Sequence, residues 1–334
     1  MLRTLIIAEA GVNHNGDLGL AKKLIDVAKN AGVDYVKFQV GIPEFIVSRF
    51  AEKADYQKNT TGEAGNQLDM IRKISLTFDE HRQLMTYCEK VGVKYLCTPF
   101  DLPSIDFLDS CGMSFWKIPS GEISNFPYLR KIGQTGKPVI LSTGMADVQE
   151  IHEAIDVLTK YGTLLNEIVL LHCTTEYPAP KNEVNLKAIE TMHNEFGLRI
   201  GYSDHTEGIE IPIAAVAMGA CVIEKHFTLN RAMEGPDHKA SIEPDELIQM
   251  VKNIRNVEGA LGDGLKEACE SEKKNLKIAR KSIVAAQNIG SGEIFTEDNI
   301  TVKRPGSGIS PMRWEEVLGK TAKRAFQPDE LIEL

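Results

Sequence analysis

Eight short apolar runs, each ending in a polar or charged residue, constrain this chain more than any other feature. They are LIIAE ending at Glu9, YVKFQ at Lys37 and Gln39, KYLCT at Thr98, FWKIPSGE at Lys117 to Glu122, VILST at Ser142, IVLLHC at His172, RIGYSDH at Ser203 to His205, and CVIEKHF at Glu224 to His226. Helical patterns separate them. LGLAKKLIDVAKNAG puts Leu20, Leu24, Val27 and Ala28 on one face, with Gly32 past its end, and DVQEIHEAIDVLTKYG spaces Val148, Ile151, Ile155 and Leu158 likewise. EGIEIPIAAVAMGA is apolar on nearly all sides and should be well buried. Strand and helix in alternation predict a parallel sheet, and eight units predict its closure into an α/β (β/α)₈ TIM barrel. In that fold, side chains at the C-terminal strand ends form the active-site face.

The remainder of the chain divides unevenly. Residues 1–262 hold the barrel pattern, 263–276 read as a charged helical or linker segment, and 277–334 contain short strands broken by Gly and Pro. That last piece predicts a small β-rich domain. VGIPEFIVSRFAEKADYQKNTTGEAGNQLDM, after the second strand, lacks clean periodicity and predicts a long loop over the barrel mouth.

Composition excludes some functions. A formal net charge of −9 disfavours a general nucleic-acid role. No apolar run reaches the ~18–20 residues needed to span a bilayer, and MLRTLIIAEAG reads as a strand rather than a signal peptide. Six cysteines without CxxC spacing suggest reduced structural thiols and a cytoplasmic location.

Three residue classes at the strand ends carry chemistry. His205 and His226 end neighbouring strands and suit a divalent metal such as Mn²⁺, with Mg²⁺ or Co²⁺ as alternatives; the bland reading is two structural histidines. Asp237 and His238, in the loop after the last run, could reach the same mouth. Lys37 and Lys117 sit inside apolar strands, where an ammonium must be paired. They bind an anion, form a Schiff base, or make structural ion pairs with Glu9 or Glu122. The hydroxyls of Thr98, Ser120, Ser142, Thr143, Thr174, Thr175 and Ser203 suit phosphate or carboxylate oxygens as a cluster, though singly each more often caps a helix. Glu9 is the best acid/base or sugar-hydroxyl candidate of the first strand, while Asn13 to Gly16 read as a turn and cap. His81, His152 and His193 are expected on exposed helix faces.

AEAGVNHNG, VKFQ, TPFD, WKIPSGE, LSTGM, LHCTTEYP, GYSDHT, EKHFT, GPDH and KRPGSGISP, in this order along the whole chain, resemble the sialic acid synthases. These include N-acetylneuraminate, legionaminate and pseudaminate synthases. The resemblance implies a barrel followed by an antifreeze-like (SAF) domain and a domain-swapped homodimer. It implies a transferase that forms a C–C bond between phosphoenolpyruvate and an N-acylated amino sugar, releasing phosphate with the help of a metal. By motif, His205 and His226 would bind the metal, and Lys37, Thr98, Lys117, Ser120, Ser142 and Ser203 would hold phosphoenolpyruvate. Glu9, Glu122, Tyr177 and Asp237 would face the sugar, and Arg304 of the other subunit would contact its N-acyl group. Thr175 stands where some members have Asn, and its hydroxyl has a shorter reach. N-acetylmannosamine is narrowly favoured as acceptor, giving N-acetylneuraminate. The alternatives are a 2,4-diacetamido-6-deoxymannose acceptor giving N,N'-diacetyllegionaminate, a class I aldolase, or an inactive sugar-binding protein.

Overall fold

A computed structural model describes residues 3–52 and 66–334. The segment 53–65, part of the expected mouth loop, lies outside the described residues. The chain divides into two compact units, Met1–Asp263 and Gly264–Leu334.

In the first unit all eight apolar runs are strands: β1 (Leu5–Gly11), β2 (Tyr35–Val40), β3 (Lys94–Pro99), β4 (Trp116–Ile118), β5 (Val139–Ser142), β6 (Ile168–Cys173), β7 (Arg199–Asp204) and β8 (Val222–His226). They form one sheet in the order β3-β2-β1-β8-β7-β6-β5-β4, with every registered pair parallel. The end strands β3 and β4 pack against each other, so the sheet curls into the expected barrel.

Helix boundaries follow local chemistry. Leu18–Ala31 begins at Asp17, whose side chain accepts from the Leu20 amide, and ends at Gly32 with φ +74°. Phe78–Val91 and Val148–Tyr161 begin with capping boxes at Thr77/Glu80 and Asp147/Glu150. The helix Glu210–Ala217 is less buried than its composition predicts: Pro212, Ala215 and Val216 are covered, whereas Met218 just beyond it is exposed. The loop after β2 also departs from expectation, because it contains the helices Pro43–Ile46 and Gln67–Ile74. One and two turns are too short for periodicity to declare itself.

The barrel interior is layered. Successive strand residues face opposite sides, so each inward polar residue has its inward predecessor two positions earlier. Those predecessors are apolar: Ile7 before Glu9, Leu96 before Thr98, Ile140 before Ser142, Leu171 before Cys173 and Val222 before Glu224. They form one packed cluster, with Tyr35 and Phe115 beneath the two lysines. Gly201 completes this layer; a Cβ there would lie 2.5 Å from Leu171 and 2.7 Å from the Val222 carbonyl. The larger core lies outside the sheet, between strands and helices.

The second unit has a helix Glu270–Ala279, part of which falls in the segment expected as a linker, and an antiparallel pair β9 (Ser282–Ala285) and β10 (Ile300–Lys303). Its own core includes Ile283, Phe295, Ile300 and Phe326.

Candidate active site

Above the apolar plug lies a charged layer. Lys37 Nζ is 2.6 Å from Glu9 Oε2 and 3.5 Å from Glu224 Oε2, while Lys117 Nζ is 3.5 Å from Glu224 Oε1. All four side chains are at least nine-tenths buried. Hydroxyls complete it: Lys37 donates to Thr98 Oγ1 at 3.1 Å, Lys117 to Ser142 Oγ at 2.8 Å, and Ser203 to Glu224 Oε1 at 2.9 Å. Ser120 Oγ accepts from the Gly144 amide and lies 3.3 Å from Cys173 Sγ. The structural pairing expected of the lysines exists for Glu9, but Glu224 takes the place considered for Glu122, whose carboxylate instead accepts from Asn125.

Electrostatics separates the two lysines. Burial disfavours both ammoniums, but Glu224 and Glu9 outweigh it for Lys37, whose pKa is raised. For Lys117 burial prevails over Glu224, and the pKa is lowered. Burial pushes Glu9 up against the pull of Lys37. Glu224 is opposed by burial yet held down at about 2 by Lys117 and Lys37.

The histidine edge lies across β7 and β8. The His205 and His226 rings are 5.5 Å apart. His205 Nδ1 lies 2.5 Å from the Thr174 carbonyl, which can only accept, so Nδ1 carries the proton and Nε2 presents a lone pair. Tyr177 OH is 3.1 Å from that Nε2. His226 Nδ1 is buried without a hydrogen-bond partner and lies 3.8 Å from Asp237 Oδ2. Burial lowers the His205 pKa to about 4; burial, then His205 and Lys37, lower that of His226; burial and then Glu9 raise Asp237 to about 7. Among the described residues no group of three or more His, Cys, Asp or Glu side chains is arranged to hold a metal. The chemistry nonetheless fits a two-imidazole donor set completed by solvent or substrate, with one lone pair fixed by tautomer and one orphaned nitrogen beside it.

Glu9, Lys37, Thr98, Lys117, Ser120, Ser142, Thr175, Tyr177, Ser203, His205, His226 and Asp237 line one cavity of about 340 Å³. Glu122 is not among its lining residues, and Arg304 belongs to the second unit, where its Nε donates to the Ala279 carbonyl. Sequence reasoning gave no role to Glu224, although period two places it on the same face of β8 as His226. It also passed over Gln39, which donates to Glu9 Oε1 at 2.9 Å. His81 is not exposed as expected: it is fully buried, with Nδ1 2.7 Å from Tyr95 OH. Asn13 is more than a turn residue, since it donates from within the core to the Phe227 carbonyl and to Ser241.

The NeuB family model matches residues 24–266, and the SAF domain model matches residues 280–333. The chain is 56% identical to the N,N'-diacetyllegionaminic acid synthase of Campylobacter jejuni over 99% of each chain. It is 45% identical to the enzyme of the same name from Legionella pneumophila, over 94% of this chain and 89% of the other. A crystal structure of N-acetylneuraminic acid synthetase from Leptospira borgpetersenii, in complex with citrate, superposes with a TM-score of 0.71 at 35% identity, covering 82% of this chain and 90% of that one. No helix among the described residues is long and apolar enough to cross a membrane. Matched by the family model over most of its length and by close relatives over nearly all of it, the chain belongs to the NeuB family and is an enzyme of the sialic acid synthase kind.

Proposed function

We propose that this enzyme is an N,N'-diacetyllegionaminate synthase, condensing phosphoenolpyruvate with 2,4-diacetamido-6-deoxymannose and releasing phosphate. The observation that carries the acceptor is the 56% identity, end to end, with a relative of that name, against 35–36% for relatives named for neuraminate. The preference for N-acetylmannosamine drawn from sequence motifs alone is therefore given up.

Phosphoenolpyruvate is assigned to the lysine side of the cavity. Lys117, Ser142, Ser120 and Thr98 offer convergent donors, and charge-assisted bonds from buried ammoniums are the strong kind. The sugar is assigned to the edge of His205, His226, Tyr177 and Asp237, with Glu9 and Gln39 between the two. A divalent metal held by His205 and His226 would supply Lewis-acid polarisation of the sugar aldehyde. The residues themselves hold the methylene carbon of phosphoenolpyruvate against the aldehyde carbon, and this orientation accounts for much of the rate. As the new C–C bond forms, positive charge develops at C2, and the carboxylates of Glu224 and Glu9 lie in the layer that faces it. Water adds at C2, and the tetrahedral adduct loses phosphate into the Lys117 donors. No covalent bond to lysine is needed.

Assaying the two acceptors side by side tests the reading. Phosphate release should be faster with 2,4-diacetamido-6-deoxymannose than with N-acetylmannosamine at equal concentration. The reverse order would restore neuraminate synthesis.

A further inference from the structure

The cavity has two unlike sides. Its floor is charged, but its rim over β2 is aliphatic, built from Ile46, Val47, Met70, Ile71 and Ile74. In the helix Gln67–Ile74 the cavity-lining positions are Gln67, Met70, Ile71 and Ile74, one face at the i, i+3, i+4, i+7 spacing, while Asp69, Arg72 and Lys73 are exposed. Among the described residues, polar side chains occur only at the edges of this rim, in Gln67 and in Ser75, whose hydroxyl already donates to the Ile71 carbonyl.

The wall is braced. The Ile42 amide donates to Asp101 Oδ2 at 2.6 Å, fixing the chain as it leaves β2. Arg72 reaches Glu44 at 2.8 Å and ties the two short helices together. The Lys73 carbonyl packs on Gly16, where φ is +76° and a Cβ would lie 2.5 Å from that oxygen.

We infer that this aliphatic wall is the specificity-determining surface for the far end of the acceptor, taking the C6 methyl group of a 6-deoxy sugar and disfavouring a C6 hydroxymethyl group. This rests on the acceptor class proposed above. With the aldehyde carbon at the His205–His226 edge, C6 is the backbone carbon furthest along the sugar from the chemistry, and the inference seats it against the rim. In 2,4-diacetamido-6-deoxymannose it is also the one backbone carbon without a heteroatom. A hydroxyl there would face Ile71 and Ile46, with no side-chain partner among the described residues of the wall, and would lose its water. A hydrophobic pocket discriminates one such group by roughly tenfold to a hundredfold.

A two-by-two acceptor set tests this, with hydroxyl or acetamido at C4 and hydroxyl or hydrogen at C6. Wild-type kcat/KM should favour hydrogen at C6 by about tenfold or more within each C4 pair. Ile71→Gln and Ile46→Gln, made separately because either alone could disturb the local helix, should each move that ratio toward one while leaving the KM for phosphoenolpyruvate unchanged. A wild-type ratio near one, or variants that weaken both C6 forms equally, would overturn the inference and leave the wall a water-excluding surface only. If only C4-hydroxyl sugars react but the C6 preference persists, the proposed acceptor fails and the wall's role stands.

Discussion

Lys117 Nζ lies 3.5 Å from Glu224 Oε1, and among the described residues that is the one carboxylate within ion-pair reach of it, whereas Lys37 has both Glu224 and Glu9. Lys117 is thus the less compensated cation of the layer. An incoming anion completes its pairing at small desolvation cost, because the ammonium is already out of water.

Lys117→Met should therefore lower kcat/KM for phosphoenolpyruvate by at least about a hundredfold, the usual cost of truncating one partner of a buried charge pair. Glu224→Gln should cost about tenfold to a hundredfold, through mispositioned lysines. Steady-state kinetics, with circular dichroism to verify folding, measures both. Borohydride added with pyruvate should leave both lysines unmodified; a covalent adduct in the mass spectrum would replace the condensation reading with an aldolase.

Chelation should remove activity, and Mn²⁺ should restore it in the wild type but not in His205→Ala or His226→Ala. Phosphoenolpyruvate binding, followed by calorimetry on the chelated protein, should survive in all three. Failure of Mn²⁺ to restore a chelated wild type that still binds substrate would remove the metal role assigned to this pair.

Arg304→Ala should raise the KM of the sugar by about tenfold or more, as expected for losing a charged hydrogen bond, and change that of phosphoenolpyruvate little. Equal changes would contradict its assignment to the N-acyl group. If the site is shared between subunits, mixing Arg304→Ala with Lys117→Met chains should recover part of the lost rate.

Acid should destabilise the barrel through His14 and His81. Burial lowers their pKa values to about 4 and about 3. An unfolded histidine titrates near 6.5, so below that pH the unfolded chain binds the extra protons. Their stabilisation is complete above about pH 6.5 and is lost as the pH falls toward 4 for His14 and toward 3 for His81, at roughly 2 kcal/mol per histidine by pH 5. Denaturant titrations from pH 7 to pH 5 should show this loss, and His81→Asn should have a shallower dependence. Identical slopes would place the acid sensitivity elsewhere.

The barrel was legible because each strand carries its own punctuation: an apolar run closed by a polar end repeats eight times without help from tertiary contacts. Lys37 and Lys117 stood out for the same reason, as charges where none should be. Glu224 was hidden among the three polar residues of EKH, where two face the cavity and Lys225 points away to Asp204. His81 was misplaced because its helix looks amphipathic only until Tyr95 of β3 supplies its partner. The aliphatic rim rests on helices too short to read. Arg304 entered by motif, since nothing in its local sequence gives it chemistry.

The packed plug of Ile7, Leu96, Ile140, Val169, Leu171 and Val222 gives the barrel a sealed bottom. Among the described residues the lysine layer thus opens only toward the mouth, and in the arrangement proposed above a sugar seated at the rim stands in that doorway. The deeper guest must arrive first and its phosphate must depart past an empty rim. In initial-rate and product-inhibition experiments phosphoenolpyruvate should accordingly behave as the leading substrate, and a random order would mean that the two guests do not share one path.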